Sequence, residues 1–299
     1  MRLIALFSVF FAIFLLIMSG KGAPSFSASD MRVFMEDTAY PGGVALVRIG
    51  ASNENPRVFT KIGGAPREVK TFIKNGSRYA IAAISLDYEP GAEITLWRED
   101  TNATFLVQVG DKDRVVQGIS VSRKMEALDK KTVKRVGEER VILRNAIAQF
   151  NANRLAEMRF SPPTNGRLSA EFGVRRVING KPRRPHGGAD IAAPIGTIVR
   201  APAPARAALV DRHFFCGKFV LLDHGDGLFT LYCHLDRHLV KQGDELEEGE
   251  AFAHVGRTGR VTGPHLHWSA ALNGAWFDPL LLMSEDGVAE MLNLNKKRE

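Results

Sequence analysis

Residues 218–232 read Lys218-Phe219-Val220-Leu221-Leu222-Asp223-His224-Gly225-Asp226-Gly227-Leu228-Phe229-Thr230-Leu231-Tyr232. Two runs rich in aliphatic and aromatic residues flank a short His-Gly-Asp-Gly segment. Glycine and aspartate tolerate the positive φ angles of a tight reversal, so the stretch predicts an antiparallel hairpin. Working outward, Ile198–Arg200 and His265–Ala270 are further short β-prone runs between turn residues. No alternation of helices with strands appears around them, which argues against a Rossmann or TIM-barrel fold. The C-terminal part is therefore expected to be built on an antiparallel β-sheet, and the chain to be mainly β.

The N-terminal part has the same texture. Met31–Glu36, Val44–Ile49, Val69–Ile73, Ala80–Ile84, Glu93–Trp97 and Thr104–Val109 alternate with Pro41-Gly42-Gly43, Asn53-Glu54-Asn55-Pro56, Gly63-Gly64, Asn75-Gly76 and Pro90-Gly91. Short strands at this spacing predict a β-sandwich of immunoglobulin-like type over residues 30–118. That segment contains neither histidine nor cysteine, so its default role is scaffolding, docking or inhibition. Between residues 119 and 158, Met125, Leu128, Val133, Val136, Ile142, Ile147 and Phe150 recur at three- and four-residue steps. This predicts a helical linker with Asp129 or Thr132 as N-cap, with Gly137 as its weak point. Ser161-Pro162-Pro163 breaks the pattern, and a C-terminal domain over 159–285 follows, with a tail at 286–299.

A chain of 299 residues is long enough for two cores, and 45% hydrophobic with 24% charged residues excludes wholesale disorder. The net charge of +7 and a pI near 9.5 favour acidic partners: nucleic acid, anionic lipid, or carboxylate-rich wall polymers. Charge does not choose among them, but the N-terminus narrows the field. Leu3 to Met18 is an almost unbroken apolar run behind Met1 and Arg2, the form of an export signal. It is short for a membrane span, which needs about 20 apolar residues. Residues 1–23 are thus expected to be either a cleaved signal peptide or a retained anchor. An exported chain, in the periplasm or cell envelope and in the second case held at the inner membrane, is the expected location. No cysteine precedes Cys216, which argues against a lipid anchor.

All eight histidines fall between His186 and His267. His186-Gly187-Gly188-Ala189-Asp190 is an H-x-x-x-D, and His265-Leu266-His267 an H-x-H; Tyr232-Cys233-His234-Leu235 lies between them. In extended chain, residues two or four apart share a face, so His265 and His267 point together, as do His186 and Asp190. Two imidazoles and a carboxylate with an open fourth position suit a catalytic zinc. The same donors also describe a non-haem iron triad. Of the other histidines, His224 is expected to order the hairpin turn, and His213, His238 and His254 to serve surface or packing roles.

From Ser161 to about Met283 the chain resembles the LytM/lysostaphin-type zinc peptidases of the M23 metallopeptidase family. The motifs carrying the likeness are Ala170–Arg175, His186–Thr197, Asp223-His224-Gly225, Tyr232–Leu235 and Gly259–Trp268. The resemblance implies a β-sheet domain with the site in a long groove, and a zinc ion (Zn2+) on His186, Asp190 and His267. His234 and His265 would be the catalytic pair beside the metal. It further implies a zinc-activated water that hydrolyses peptide cross-links of peptidoglycan, with a D,D-endopeptidase as the expected form. Nucleic acid is not among the expected partners. A regulatory protein docking on the N-terminal domain is. The competing reading is a non-catalytic peptidoglycan-binding regulator of other wall hydrolases; the intact set of five residues weighs against it. The iron oxygenase reading finds no support in the surrounding glycine-rich motifs.

Two features stay open at this level. Arg175, Arg176, Lys181, Arg183 and Arg184 precede His186; they are either a solvated loop or, Arg183 and Arg184 above all, a substrate-binding rim for wall carboxylates. Cys216 and Cys233 fall nearly opposite each other if the hairpin closes as expected, so a cross-strand bridge is feasible, with two separate buried thiols as the alternative. Alternation sends Cys233 to the face opposite His234.

Overall fold

The computed structural model describes residues 38–119, 128–152, 158–284, 287, 288 and 291. The signal-or-anchor segment 1–23, the expected strand 31–36 and nearly all of the tail 286–299 lie outside the described residues. No described helix is long and apolar enough to cross a membrane.

The architecture is mainly β with antiparallel sheets. The N-terminal sheet has six strands: β1 (Val44–Ala51), β2 (Val58–Ile62), β3 (Ala65–Lys74), β4 (Ser77–Ala83), β5 (Glu93–Arg98) and β6 (Thr104–Gln108), in the order β1-β4-β3-β2-β5-β6. Asn75 and Gly76, at φ 49° and 72°, close the β3–β4 hairpin as such a pair should. Ala65–Val69 of β3 pairs with β2, whereas Lys70–Lys74 pairs with β4, so the sheet changes partner along one strand.

A short strand, β7 (Val116–Ile119), then leaves this sheet and runs parallel to β9 (Arg175–Ile178), with β10 (Lys181–Pro182) on the other side. The helix α1 (Lys130–Ile147) follows; Asp129 caps it by accepting from Thr132 N at 2.7 Å. Gly137 sits inside it without breaking it. Only Val136 and Ile147 are buried. Val133 and Ile142, two apolar positions of the helical pattern, remain exposed.

The C-terminal domain is a ten-stranded sheet. Its spine runs β16 (Glu245–Leu246), β13 (Ala205–His213), β14 (Gly217–Gly225), β15 (Leu228–His238), β18 (Leu266–Leu272), β11 (Ala189–Ala192), β8 (Arg167–Ala170). β12 (Ile198–Arg200), β17 (Ala251–Val255) and β19 (Ala275–Phe277) complete it. The expected hairpin is β14–β15, with Asp223 opposite Phe229 and with Gly225, Asp226 and Gly227 at φ 91°, 49° and 78°. Alternation divides its side chains. Val220, Leu222, Tyr232 and Trp268 join a large core on one face, while Phe219, Leu221, Phe229 and Leu231 meet Ile147 of α1 on the other.

That large core does not stop at the sheet. Val44, Phe72, Ile81 and Ala83 of the N-terminal sheet belong to the same buried cluster as Trp268, Ala270 and Phe277. A part-buried ion pair, Lys70 Nζ to Asp226 Oδ2 at 2.8 Å, ties β3 to the hairpin turn. Asn273 Nδ2 donates to Glu68 O at 3.0 Å beside it.

Candidate functional site

β11 and β18 are neighbours, and their register sets Asp190 directly opposite His267. Residues opposite each other in an antiparallel pair share a face with Cβ atoms about 5 Å apart. A carboxylate and an imidazole therefore meet without any loop to order. His186 enters from the segment before β11, where its backbone N–H donates to Val174 O. Gly188 makes that approach feasible: a Cβ there would lie 2.5 Å from Ser269 Oγ and from Trp268 O.

The three donors converge. Asp190 Oδ1 lies 2.8 Å from His267 Nδ1 and 3.0 Å from His186 Nε2, and the two nitrogens are 3.1 Å apart. Among the described residues, these form the one such group whose ligand atoms lie within 4.8 Å of one another. Bonds of about 2.0–2.1 Å to a tetrahedral zinc put ligand atoms roughly 3.3 Å apart, close to the observed spacing. The donor set fits a zinc ion.

The groups behind the donors fit it as well. His186 Nδ1 donates to Glu171 O at 2.9 Å, leaving Nε2 as the donor atom. His267 Nε2 bonds Ser269 Oγ at 2.9 Å, leaving Nδ1. Arg176 Nη2 holds Asp190 Oδ2 at 3.2 Å, so Oδ1 alone faces the centre. Such outer partners fix ligand tautomers and orientations. Burial alone would raise the Asp190 carboxyl, but the adjoining His186 and His267 imidazoles outweigh it and hold it well below the usual carboxylate range. Burial pushes His267 down, against the pull of Asp190.

Two further imidazoles border the open side. The His234 ring lies 4.7 Å from that of His265 and 5.9 Å from that of His267. His265 Nε2 is 3.8 Å from Asp190 Oδ1. Each presents Nε2 to the site, because each Nδ1 donates to a carbonyl: Thr258 O at 3.0 Å for His234, Gly263 O at 2.9 Å for His265. Burial, reinforced by His267 and His265, pushes the His234 imidazole down to about 3.

His234 reaches this position by a route that alternation misses. Cys233 pairs with His267 across the strands, so Cys233 and not His234 would face the site in a regular strand. A bulge intervenes: the β14 register skips between Lys218 and Val220, and His234 adopts φ 65° in the left-handed region. An extra residue of this kind re-aims side chains, and here it turns His234 inward. Cys233 is bonded to Cys216 in a disulfide with Cα atoms 4.8 Å apart, which removes it from the donor set. The expectation that Cys233 lies on the face away from the site is corrected accordingly.

The five residues singled out in the sequence thus come together, and of the two arginines Arg184 lines a cavity with His267 and Ser269. Arg184 Nη2 binds both oxygens of Asp87 at 2.7 Å, across to the N-terminal domain. Arg183 is exposed and lines a separate cavity with Arg114 and Arg175. Arg176 and Ser269, which support the donors, and the Thr258 carbonyl, which holds His234, are not singled out by the sequence in those roles. His224 is buried between Pro204 O and Thr230 Oγ1 at 3.1 and 2.7 Å, consistent with ordering the hairpin.

The model of peptidase family M23 matches residues 184–279. A crystal structure from Pseudomonas aeruginosa assigned to the same family covers 83% of this chain and 96% of its own, with 30% identity and a TM-score of 0.66. The peptidoglycan DD-endopeptidase ShyA of Vibrio cholerae is 37% identical over 120 residues, 40% of this chain and 28% of that protein. The DD-carboxypeptidase/endopeptidase Mpg of Neisseria meningitidis is 41% identical over 114 residues, 38% of this chain and 26% of that one. The chain therefore spans little more than a quarter of the length of these curated relatives. With the P. aeruginosa structure matched over nearly its whole length and the donor set intact, the chain belongs to peptidase family M23.

Proposed function

We propose that this chain is a zinc-dependent endopeptidase that hydrolyses the peptide cross-links of peptidoglycan, acting as a D,D-endopeptidase. One observation carries the reading: the donors His186, Asp190 and His267 converge beside two non-donor imidazoles, His234 and His265, whose Nε2 atoms face the open side. A non-catalytic regulator would have no use for that second pair. Zinc held by the three donors supplies Lewis acidity, acidifying water and polarising a carbonyl. With Nδ1 anchored on carbonyl oxygens, His234 and His265 each offer a lone pair to the groove. We assign proton transfer from water to the leaving amine chiefly to His265. To His234, on the same open side, we assign transition-state stabilisation or a share in that proton transfer. The substrate reading is supported by the activities for which the Vibrio and Neisseria relatives are named, together with the basic balance of the chain.

The same proposal includes export by residues 1–23, as a signal or an inner-membrane anchor, which the Cys216–Cys233 disulfide favours. It includes an immunoglobulin-like N-terminal domain over 30–118, a linker over 119–158, a peptidase domain over 159–285, and a regulatory partner at the N-terminal domain. The test is digestion of purified sacculi by the zinc-loaded full chain, with released fragments identified by mass spectrometry. Un-cross-linked monomers whose release stops on chelation are expected; intact cross-links after prolonged digestion would refute it.

A further inference from the structure

The groove does not end at the donors. A cavity of about 280 Å³ has Gly187, His267 and Ser269 on one wall and Ser85 and Asp87 of the N-terminal domain on the other. A second, of about 550 Å³, shares Ser85, Asp87, Arg184 and Trp276 with it and runs on between β3, α1 and β19. The two form one cleft leading away from the metal donors, and its far end is built by three separate parts of the chain.

That far end is basic. Arg67 of β3, Arg140 and Arg144 of α1, and Arg184 line it, with Asp87 as its one acid. Asp87 is committed to Arg184. Arg67, Arg140 and Arg144 make no ion pair with any described residue. The acids carried beside them are engaged elsewhere: Glu68 with Arg57, Glu138 with Lys134, and Glu139 with Arg135. Arg140 and Arg144 stand four apart and so project from one side of the helix. Three guanidinium groups around one cavity, without a balancing acid, favour an oxyanion and suit a planar carboxylate.

We infer that Arg67, Arg140 and Arg144 form an anion subsite that holds a free carboxylate of the substrate strand, remote from the bond that is cut. This rests on the peptidoglycan reading above and extends it: the N-terminal sheet and the helix supply part of the substrate site. The recognition expected of Arg183 and Arg184 is extended to residues far earlier in the sequence, with Arg184 on the same cleft. A subsite remote from the reacting bond adds binding that is equal in ground and transition states, so its loss appears in KM.

The test uses the zinc-loaded full chain and a purified, soluble, cross-linked disaccharide-peptide dimer. Arg140→Gln with Arg144→Gln should raise KM about tenfold, the order expected when charged hydrogen bonds are lost. Lys130→Gln with Lys131→Gln, the same charge loss at the other end of α1, should leave KM in place. Amidating the dimer's carboxylates should raise the wild-type KM similarly and add nothing further in the arginine variant. An unchanged KM in the arginine variant would overturn the subsite. So would an amidated dimer that still feels the substitutions, or inorganic phosphate competing while amidation has no effect, since the anion would then be a phosphate. Binding of the labelled dimer to the His265→Ala chain, read by anisotropy, separates the two readings. Arginine-dependent binding by a wild type that never cuts would refute the peptidase and leave the subsite standing.

Discussion

Each imidazole of the centre has one nitrogen tied to a neighbour, and that neighbour decides what the other nitrogen does. His186 and His267 turn the free nitrogen to the Asp190 carboxylate; His234 and His265 turn it to the groove. His186→Ala, Asp190→Ala and His267→Ala should therefore lose both zinc and activity. His234→Ala and His265→Ala should keep about one zinc per chain yet lose roughly 10²–10⁴-fold in rate. Metal analysis beside initial rates checks this, and an empty site in His265→Ala with zinc kept in His267→Ala would reverse the assignment. Ser269→Ala frees His267 to rotate and should weaken zinc binding about 10–100-fold, read by competition with a chromogenic chelator. His224 makes a different point, because burial pushes its imidazole down to about 4. An unfolded chain binds that proton near pH 6.5, so stability is full above that pH and falls between about 6.5 and 4. The loss is at most about 3 kcal/mol for this group. Denaturant melts of wild type and His224→Gln across that window should differ in slope, and parallel profiles would remove His224 from the acid sensitivity. The donors were legible in the sequence because H-x-x-x-D and H-x-H are local spacings. Arg176 was not, since it reaches Asp190 from a separate sheet, whereas Ser269 lies two residues from His267 on β18 and is overlooked although that spacing is local.

At the scale of elements, the hairpin and its glycine turn were readable because their residues leave the backbone few alternatives. The bulge in β15 was not. Nothing in Tyr232-Cys233-His234-Leu235 departs from a regular strand, and the fault lies in its pairing with β14. The disulfide sits on this same irregularity. Cys233 is the residue before the bulged histidine, and His234 N donates to Cys216 O at 2.7 Å. The bridge thus holds the β14 edge against the segment that aims His234. Replacing both cysteines by alanine opens a loop of sequence separation 17 and should cost about 3 kcal/mol, or roughly 5 °C in melting temperature. The rate should fall while zinc content stays, because the donors lie on β11 and β18. Thermal melts, metal analysis and rates on one sample separate these effects. Full activity in a destabilised variant would show that the bulge holds its shape without the bridge.

For the molecule as a whole, runs of strands split by a helical arm read as two separable bodies, yet apolar residues carry no label saying which body they face. Phe72 could equally have filled a core of its own domain; instead it lies fully buried in the cluster that contains Trp268 and Phe277. A scaffolding, docking or inhibitory module with a core of its own is the expectation from sequence. The shared cluster, the part-buried Lys70–Asp226 pair and the Asn273–Glu68 bond argue the opposite. Cutting at residue 158 would expose the apolar face of β18 and β19 and leave Asp226 without its lysine. The chain should therefore unfold as one unit. Phe72→Ala tests this at a distance from the metal. Truncating a buried phenylalanine costs about 3–5 kcal/mol, and in a shared core that loss falls on both halves. Hydrogen exchange should show weaker protection in β18 and β19 as well as in β3 and β4, with zinc released at a lower denaturant concentration. Loss of protection confined to the N-terminal sheet, with zinc retention unchanged, would mean that the two halves fold independently and that the contact between them is only a surface.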